Sequence, residues 1–392
     1  MEDRTYRRVR IGVVGVGVMG SCHVRDLADM QDADIIGVCD IDREKADRSA
    51  KQYGCKAFYS YQELLDAGID AVVIATPHYD HTAITIDAFA RGIHVLVEKP
   101  VAVHGNDAKK MNAAYEAARK KDPSLVYEVM FMMRTSPEYR KIKELIAGGE
   151  LGRLVRTTWI ITWWFRSQAY YNSGGWRATW RGEGGGVLMN QSPHNLDLYQ
   201  WLVGMPSRVT GFVSLGKYHD IEVEDEATAY FEHENGMIGH FITTTAEAPG
   251  TNRLEIVGEN GKLVFEHGKI KLYRNRISML RHIKESATTW EVPEVWEIDV
   301  PVSTMSKGMH RVVLEDFCSA ILSKHPPMNP GTEGINMVTL NNAIMLSSFS
   351  KRPIDIPFDG DEYEAKLREL SAGSRYKNNV TAVETKLPGG FK

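Results

Sequence analysis

No stretch of this 392-residue chain approaches the ~20 consecutive apolar residues that a membrane-spanning helix needs. Its start, Met-Glu-Asp-Arg, lacks the apolar core of a secretory leader. Cysteine is scarce. Cys22, Cys39, Cys55 and Cys318 stand far apart, without redox or metal-ligand spacing, so neither a disulfide framework nor a cysteine-bound metal is expected. Reduced thiols in a cytoplasmic protein account for them. There is no excess of positive charge either: the net charge is −4, which removes the electrostatic case for binding nucleic acid or a membrane surface. The one basic cluster, Arg4, Arg7, Arg8 and Arg10, is short and borders an apolar run, as a solvated edge would. Internal repeats and low-complexity tracts are absent, which excludes a solenoid. At 43% hydrophobic and 25% charged, the chain can form two or three domains with real cores.

What is present starts at the apolar run Val9 to Val14, which breaks into Gly15-Val-Gly17-Val18-Met19-Gly20 and then into a helical pattern. A strand, a glycine turn and a helix are the layout of a dinucleotide site, and a structural glycine turn is the alternative for the motif alone. Gly15 permits the tight turn, Gly17 lets backbone approach a pyrophosphate, and Gly20 lets helix and strand pack closely. Val18 and Met19 open the helix whose amides face the phosphates. A second strand, Ala33 to Val38, ends at Asp40, placed to take the adenosine ribose hydroxyls. A carboxylate there repels a 2′-phosphate and favours NAD over NADP, whereas Arg43 could accept that phosphate. Asp40 can also be read as a strand-end turn residue, with Asp42 as its twin.

Strands and helices keep alternating: a helix over 43–53, a strand over 71–75, a helix over 82–92 and a strand over 94–97. That rhythm predicts a parallel, doubly wound sheet, whose ligands sit beyond the carboxyl ends of its strands. Asp40, Thr76-Pro77 and Glu98-Lys99 all fall at such ends. Lys99 precedes a proline on stiff backbone and can hold or relay a hydroxyl proton, or simply pair with Glu98. His78 and His81 read as loop-to-helix residues that line the cofactor, and His23 as structural.

From residue 154 the pattern changes to long strands joined by turns (157–165, 208–215, 226–232, 237–245, 253–257, 261–266 and 269–273), which predicts an α+β domain with a largely antiparallel open sheet. Helices are expected over 308–322 and 333–349. Boundaries are placed at 1–135, 136–358 and a tail, 359–392, with a charged helical stretch and a frayed end. Between Trp159 and Trp180 lie five of the eight tryptophans, interleaved with Phe165, Arg166, Tyr170, Tyr171 and Arg177. Aromatic faces stack on sugar C–H faces, and arginines donate to hydroxyls or to an anion. A subunit interface or core edge would use the same residues. Trp176 and Arg177, after Gly174-Gly175, are the substrate candidates. Asn190, His194 and Asp197 are spaced to share one helical face, and His194 is a natural proton acceptor near neutral pH.

GVGVMG, IDAVVIATPHYDH, ARGIHVLVEKP and GEGGGVLMNQSPHNLDLYQWLVG occur in that order over residues 8–358, and together they resemble the glucose–fructose oxidoreductase / inositol dehydrogenase / MocA family. The resemblance implies a Rossmann domain followed by a second domain whose open sheet face commonly mediates homo-oligomers. It implies NAD as cofactor and no metal, and it implies catalytic roles for Lys99 and His194 beside substrate and nicotinamide. Gly15, Gly17, Val18, Met19, Gly20, Asp40, Thr76, Pro77, His81, Glu98 and Lys99 are the expected cofactor contacts; Trp176, Arg177, Asn190 and His194 are the expected substrate contacts. Many family dehydrogenases carry aspartate where this chain has Asn190. The activity implied is hydride transfer between nicotinamide and a sugar, polyol or glycoside carbon. Glycoside cleavage through transient carbon-3 oxidation is the alternative, and a non-catalytic sugar or NAD sensor is a third reading.

Overall fold

The computed structural model describes residues 7–305 and 307–375. They divide into two compact units, one holding residues up to Thr135 together with Lys307–Val338, the other holding Ser136–Ser306 and residues from Thr339 onward.

In the first unit β1 (Val9–Val14), β2 (Ala33–Cys39), β3 (Lys56–Phe58), β4 (Ala71–Ile74), β5 (His94–Val97) and β6 (Tyr127–Val129) form one parallel sheet in the order β3-β2-β1-β4-β5-β6. Helices α1 (Val18–Ala28), α2 (Arg43–Tyr53), α3 (Tyr61–Leu65), α4 (Asp80–Ala90) and α5 (Gly105–Arg119) make the crossovers. The central strands read as near-continuous apolar runs because both faces of a parallel sheet are covered. Ile11, Val13, Val72, Val73, Val95 and Leu96 are all buried. Each such side chain contributes about 1.5–3 kcal/mol. The strand order reverses between β1 and β4, the crevice in which doubly wound sheets bind ligands.

The second unit begins with α6 (Pro137–Ala147), where proline sits in the first turn, whose amide would have no helical partner anyway. Next come β7 (Leu154–Ile161), α7 (Gln168–Asn172), a π-turn over Val187–Gln191 and α8 (Pro193–Val203). Strands β8 (Arg208–Leu215), β9 (Glu224–Glu232), β10 (Ile238–Thr244), β11 (Asn252–Gly258), β12 (Gly261–Glu266), β13 (Lys269–Asn275) and, after α9 (Met279–Glu285), β14 (Val295–Val300) follow. With β15 (Ile354–Asp355) they form a nine-stranded sheet, β14-β13-β12-β11-β7-β10-β9-β8-β15, antiparallel except where β7 meets β10. Buried residues alternate along β7 and include Trp159, whose indole nitrogen donates to Asn252 Oδ1 at 3.0 Å. That tryptophan is core.

The chain then returns. Helix α10 (Met309–Ser323) belongs to the first unit, where it packs on α1 through a buried face that includes Val313, Leu314 and Phe317. Residues 307–338 were expected in the second domain; their apolar face is amphipathic in either location, so periodicity does not reveal which core it covers. Helix α11 (Gly334–Ser350) leads to β15, and α12 (Gly360–Ala372) supplies the charged helical stretch of the expected tail, counted with the second unit. The expected frayed end lies outside the described residues.

Candidate active site

In the first unit β1 delivers the chain into the glycine turn. Gly15 has φ +86°, and a Cβ there would sit 2.6 Å from the Ala75 carbonyl oxygen. A Cβ on Gly20 would stand 1.8 Å from the Gly15 oxygen. Both positions therefore exclude a side chain. At Gly17 a Cβ would meet nothing within 4 Å, so this side of the turn is open, at the start of α1, to a phosphate. Val18 is 42% exposed beside it and Met19 half-buried.

Asp40 leaves the end of β2 and accepts from the Val16 amide (2.9 Å) and the Asp42 amide (2.9 Å). Its carboxylate thus fastens the glycine turn, and a carboxylate still has lone pairs for a ribose hydroxyl. Asp42 caps α2 by accepting from Lys45 N. Arg43 lies over the Tyr59 ring at 4.2 Å. At the end of β4 the buried Thr76 Oγ1 has no hydrogen-bond partner among the described residues, and Pro77 is exposed next to it. A buried hydroxyl without a partner is costly and fits a ligand that completes it.

Two of the expected cofactor contacts, His81 and Glu98, also brace the fold. His81 is fully buried, with Nδ1 2.8 Å from the Pro100 oxygen and Nε2 3.0 Å from the Thr76 oxygen; burial pushes its pKa down. It ties the ends of β4 and β5 together and has no ring nitrogen left for a ligand. Glu98 is buried too: His23 Nε2 stands 2.7 Å from Oε1, and Oε2 accepts from the Lys99 amide at 3.1 Å. Burial alone would raise its pKa, but the hydrogen bond from His23 and the charges of His23 and Lys99 hold it down at about 2. His23 is structural, and the pair fixes the backbone that carries Lys99.

In the second unit His194 is 5% exposed, at the second position of α8, and Asn190 stands on the π-turn just before it. The residues around His194 bind the aromatic segments. Asn195 Oδ1 accepts from the Trp164 indole at 3.1 Å, and Gln191 Nε2 donates to the Tyr170 hydroxyl at 3.2 Å. Arg177 donates to the same hydroxyl at 2.9 Å, and its guanidinium carbon lies 4.6 Å from the centroids of both the Tyr170 and the Trp176 rings. Trp180 is buried against Phe349, whereas Trp163 (49%) and Phe165 (52%) are exposed. The tryptophan cluster thus divides into core, site loop and surface.

Two models of one family match the chain in order: "Oxidoreductase family, NAD-binding Rossmann fold" over residues 9–126 and "GFO/IDH/MocA C-terminal domain" over residues 139–264. The chain belongs to the Gfo/Idh/MocA oxidoreductase family. It is 25% identical over 401 residues to the levoglucosan dehydrogenase of Pseudarthrobacter phenanthrenivorans, covering 90% of this chain and 99% of that protein. It is 27% identical over 272 residues to the scyllo-inositol 2-dehydrogenase (NAD(+)) of Bacillus subtilis, covering 65% and 73%. The WlbA dehydrogenase of Bordetella pertussis, solved with NADH and UDP-GlcNAcA, superposes with a TM-score of 0.75 at 25% identity, covering 90% of this chain and all of that one. The chain is an oxidoreductase that binds NAD.

Glu183, which the sequence pattern did not single out, engages Asn190. Glu183 is 2% exposed; its Oε1 accepts from the Asn190 side-chain amide, and its Oε2 accepts from the Ala178 amide at 2.5 Å. Glu183 therefore ties the Trp176-Arg177 loop to the turn that leads into His194. Behind it, Glu224 accepts from the Gly186 and Leu188 amides at 2.8–3.0 Å, and burial pushes its pKa up to about 7 against those hydrogen bonds. Asp225 accepts from the amides of Lys217, Tyr218 and His219, and Glu222 from Trp180 N. The acidic run Glu222 to Glu226 was the available signal, because so many acids at the start of a sheet strand need partners.

Proposed function

We propose that this chain oxidises a hydroxyl-bearing carbon of a sugar, polyol or glycoside, with His194 and Lys99 handling the hydroxyl proton. When bound, NAD supplies the acceptor for the carbinol hydride. Gly15, Gly17, Val18, Met19, Gly20, Asp40, Thr76 and Pro77 hold the cofactor, Gly17 by leaving room and Asp40 by its remaining lone pairs. Trp176 offers an apolar face to the ring, and Asn190 and Arg177 orient hydroxyls. His194 accepts the proton and Lys99 shares the hydrogen bond; positioned acid–base help of this kind contributes about 10²–10⁴-fold.

The observation that carries this reading is the hydrogen-bonded continuity around His194. Gln191 and Asn195 hold Tyr170 and Trp164, and Glu183 joins Asn190 to the Trp176-Arg177 loop. The relatives named above are dehydrogenases, which favours net oxidation over redox-neutral glycoside cleavage. Four free cysteines suit a reducing, cytoplasmic setting. The exposed Phe212 and Val295, which the strand register puts on one face of the nine-stranded sheet, suit a homo-oligomer that covers that face.

The test is incubation with NAD and a panel of free sugars, polyols and glycosides, following NADH absorbance and released sugar together. NADH accumulation is expected. Sugar release without NADH, or no reaction with any panel member, would sink the assignment.

A further inference from the structure

Among the described residues, neither Arg166 nor Arg177 of the second unit forms an ion pair with a carboxylate; each lies against the Tyr170 ring. Their guanidinium carbons lie 5.0 and 4.6 Å from the Tyr170 ring centroid. Both side chains touch neutral groups. Arg177 donates to the Tyr170 hydroxyl, and Arg166 to the carbonyls of Phe165 (2.9 Å) and Trp164 (3.4 Å). Other covered arginines of the chain have carboxylates: Arg134 has Glu333, Arg156 has Glu255 and Arg311 has Glu315. Two buried carboxylates of the same region are already committed. Glu183 serves Asn190 and the Ala178 amide, while Asp225 serves three backbone amides and His219.

Two half-buried like charges around one ring repel each other unless an anion joins them. Guanidinium groups grip carboxylate or phosphate oxygens in pairs, and a flanking aromatic face accepts the apolar side of a sugar. Trp176, against which Arg177 already stacks at 4.6 Å, supplies that face. We propose that the substrate is an anionic sugar whose carboxylate or phosphate is seated against Arg166 and Arg177. This rests on the carbohydrate reading above and narrows it to one chemical class.

The test is calorimetric titration of the NADH-loaded protein with matched sets of a neutral hexose, its uronate and its phosphate, beside NADH production on the same compounds. At least one anion is expected to bind about tenfold or more tightly than its neutral parent. That advantage should shrink between about 50 mM and about 500 mM salt, as a partly exposed ion pair is screened. The uronate and phosphate arms identify which anion fits. Arg166→Gln should remove most of the advantage and leave binding of the neutral parent within about twofold. If that variant does not fold, the salt dependence of the unmodified protein decides. Neutral sugars bound and oxidised as well as their anionic partners, with no salt effect, would overturn this proposal alone. Failure of every sugar, charged or neutral, would overturn it together with the carbohydrate reading.

Discussion

Replacing Asn190 with aspartate restores the residue many family members carry, yet in this chain it should be damaging. The Asn190 amide donates to Glu183 Oε1, and Glu183 is 2% exposed. Aspartate has no such donor, so two carboxylate oxygens would face each other at hydrogen-bond distance. At about 4 Å and an effective dielectric constant of about 20, that repulsion is about 4 kcal/mol. The structure can avoid it only by moving the turn or by binding one proton between the pair. Holding a proton at pH 7 on a group whose ordinary pKa is about 4 also costs about 4 kcal/mol, at 1.36 kcal/mol per unit. The two routes are therefore comparable at neutral pH, and the proton wins below it.

The sign follows from linkage. The pair's pKa in the folded Asn190→Asp protein lies above its unfolded value, so its stability is intact below about pH 4 and declines as pH rises through the folded value. The variant should be within about 1 kcal/mol of the parent at pH 5 and lose about 2–3 kcal/mol more by pH 7. Urea unfolding at half-unit steps from pH 5 to 8 measures this, with kcat/KM on the best panel substrate alongside. Adding Glu183→Gln exchanges carboxylate and amide, and should recover most of the lost stability, because the glutamine amide then donates to the new carboxylate at position 190. A deficit that stays flat with pH, or no recovery in the double variant, would refute the argument that Glu183 faces residue 190.

Three further outcomes are expected. Glu224, pushed up to about 7, contributes stability that is present below the ordinary carboxyl pKa and lost as pH rises towards about 7; Glu224→Gln should flatten that decline, roughly 3 kcal/mol in urea titrations. Affinity for NAD should exceed that for NADP by about tenfold or more, and Asp40→Ser should narrow the gap while costing about 1 kcal/mol through the lost Val16 contact, both read by calorimetry and thermal melts. Lys99→Met and His194→Ala should each leave NAD binding measurable and lower turnover by about 100-fold or more, and near-normal rates in either would make that residue structural.

The parts of this molecule legible in its sequence are those whose constraints are local. Gly20 follows from a carbonyl of the same turn that a side chain would strike, and the strand–helix rhythm of the first unit from runs that each carry their own pattern. Contacts spanning long distances in sequence were not legible. Nothing near Glu98 announces His23, 75 residues earlier, as its partner. Nothing in the sequence announces the two carbonyl partners of His81, which belong to loops whose approach no periodicity encodes. Strand β14 went unread because Val-Trp-Glu-Ile-Asp-Val sits between prolines and is largely exposed, so burial leaves little alternation to detect.

The buried acids of the second unit show why its site resisted reading most. A regular element satisfies its own amides, but the segments 174–186 and 217–219 are irregular, and their buried N–H groups need acceptors from elsewhere. An ionised carboxylate offers about four lone-pair sites and no donor, so one side chain can serve several amides at once. Asp225 does this for three consecutive residues, Glu224 for two, and Glu183 for an amide and a side chain. Such acids resemble surface charge in composition and sit at spacings of 5 to 38 residues from what they hold. Asn190 follows from the same economy of acceptors. With Glu183 already in place to hold the loop, a second carboxylate at 190 could not donate to it, and an amide is the group that completes the pair.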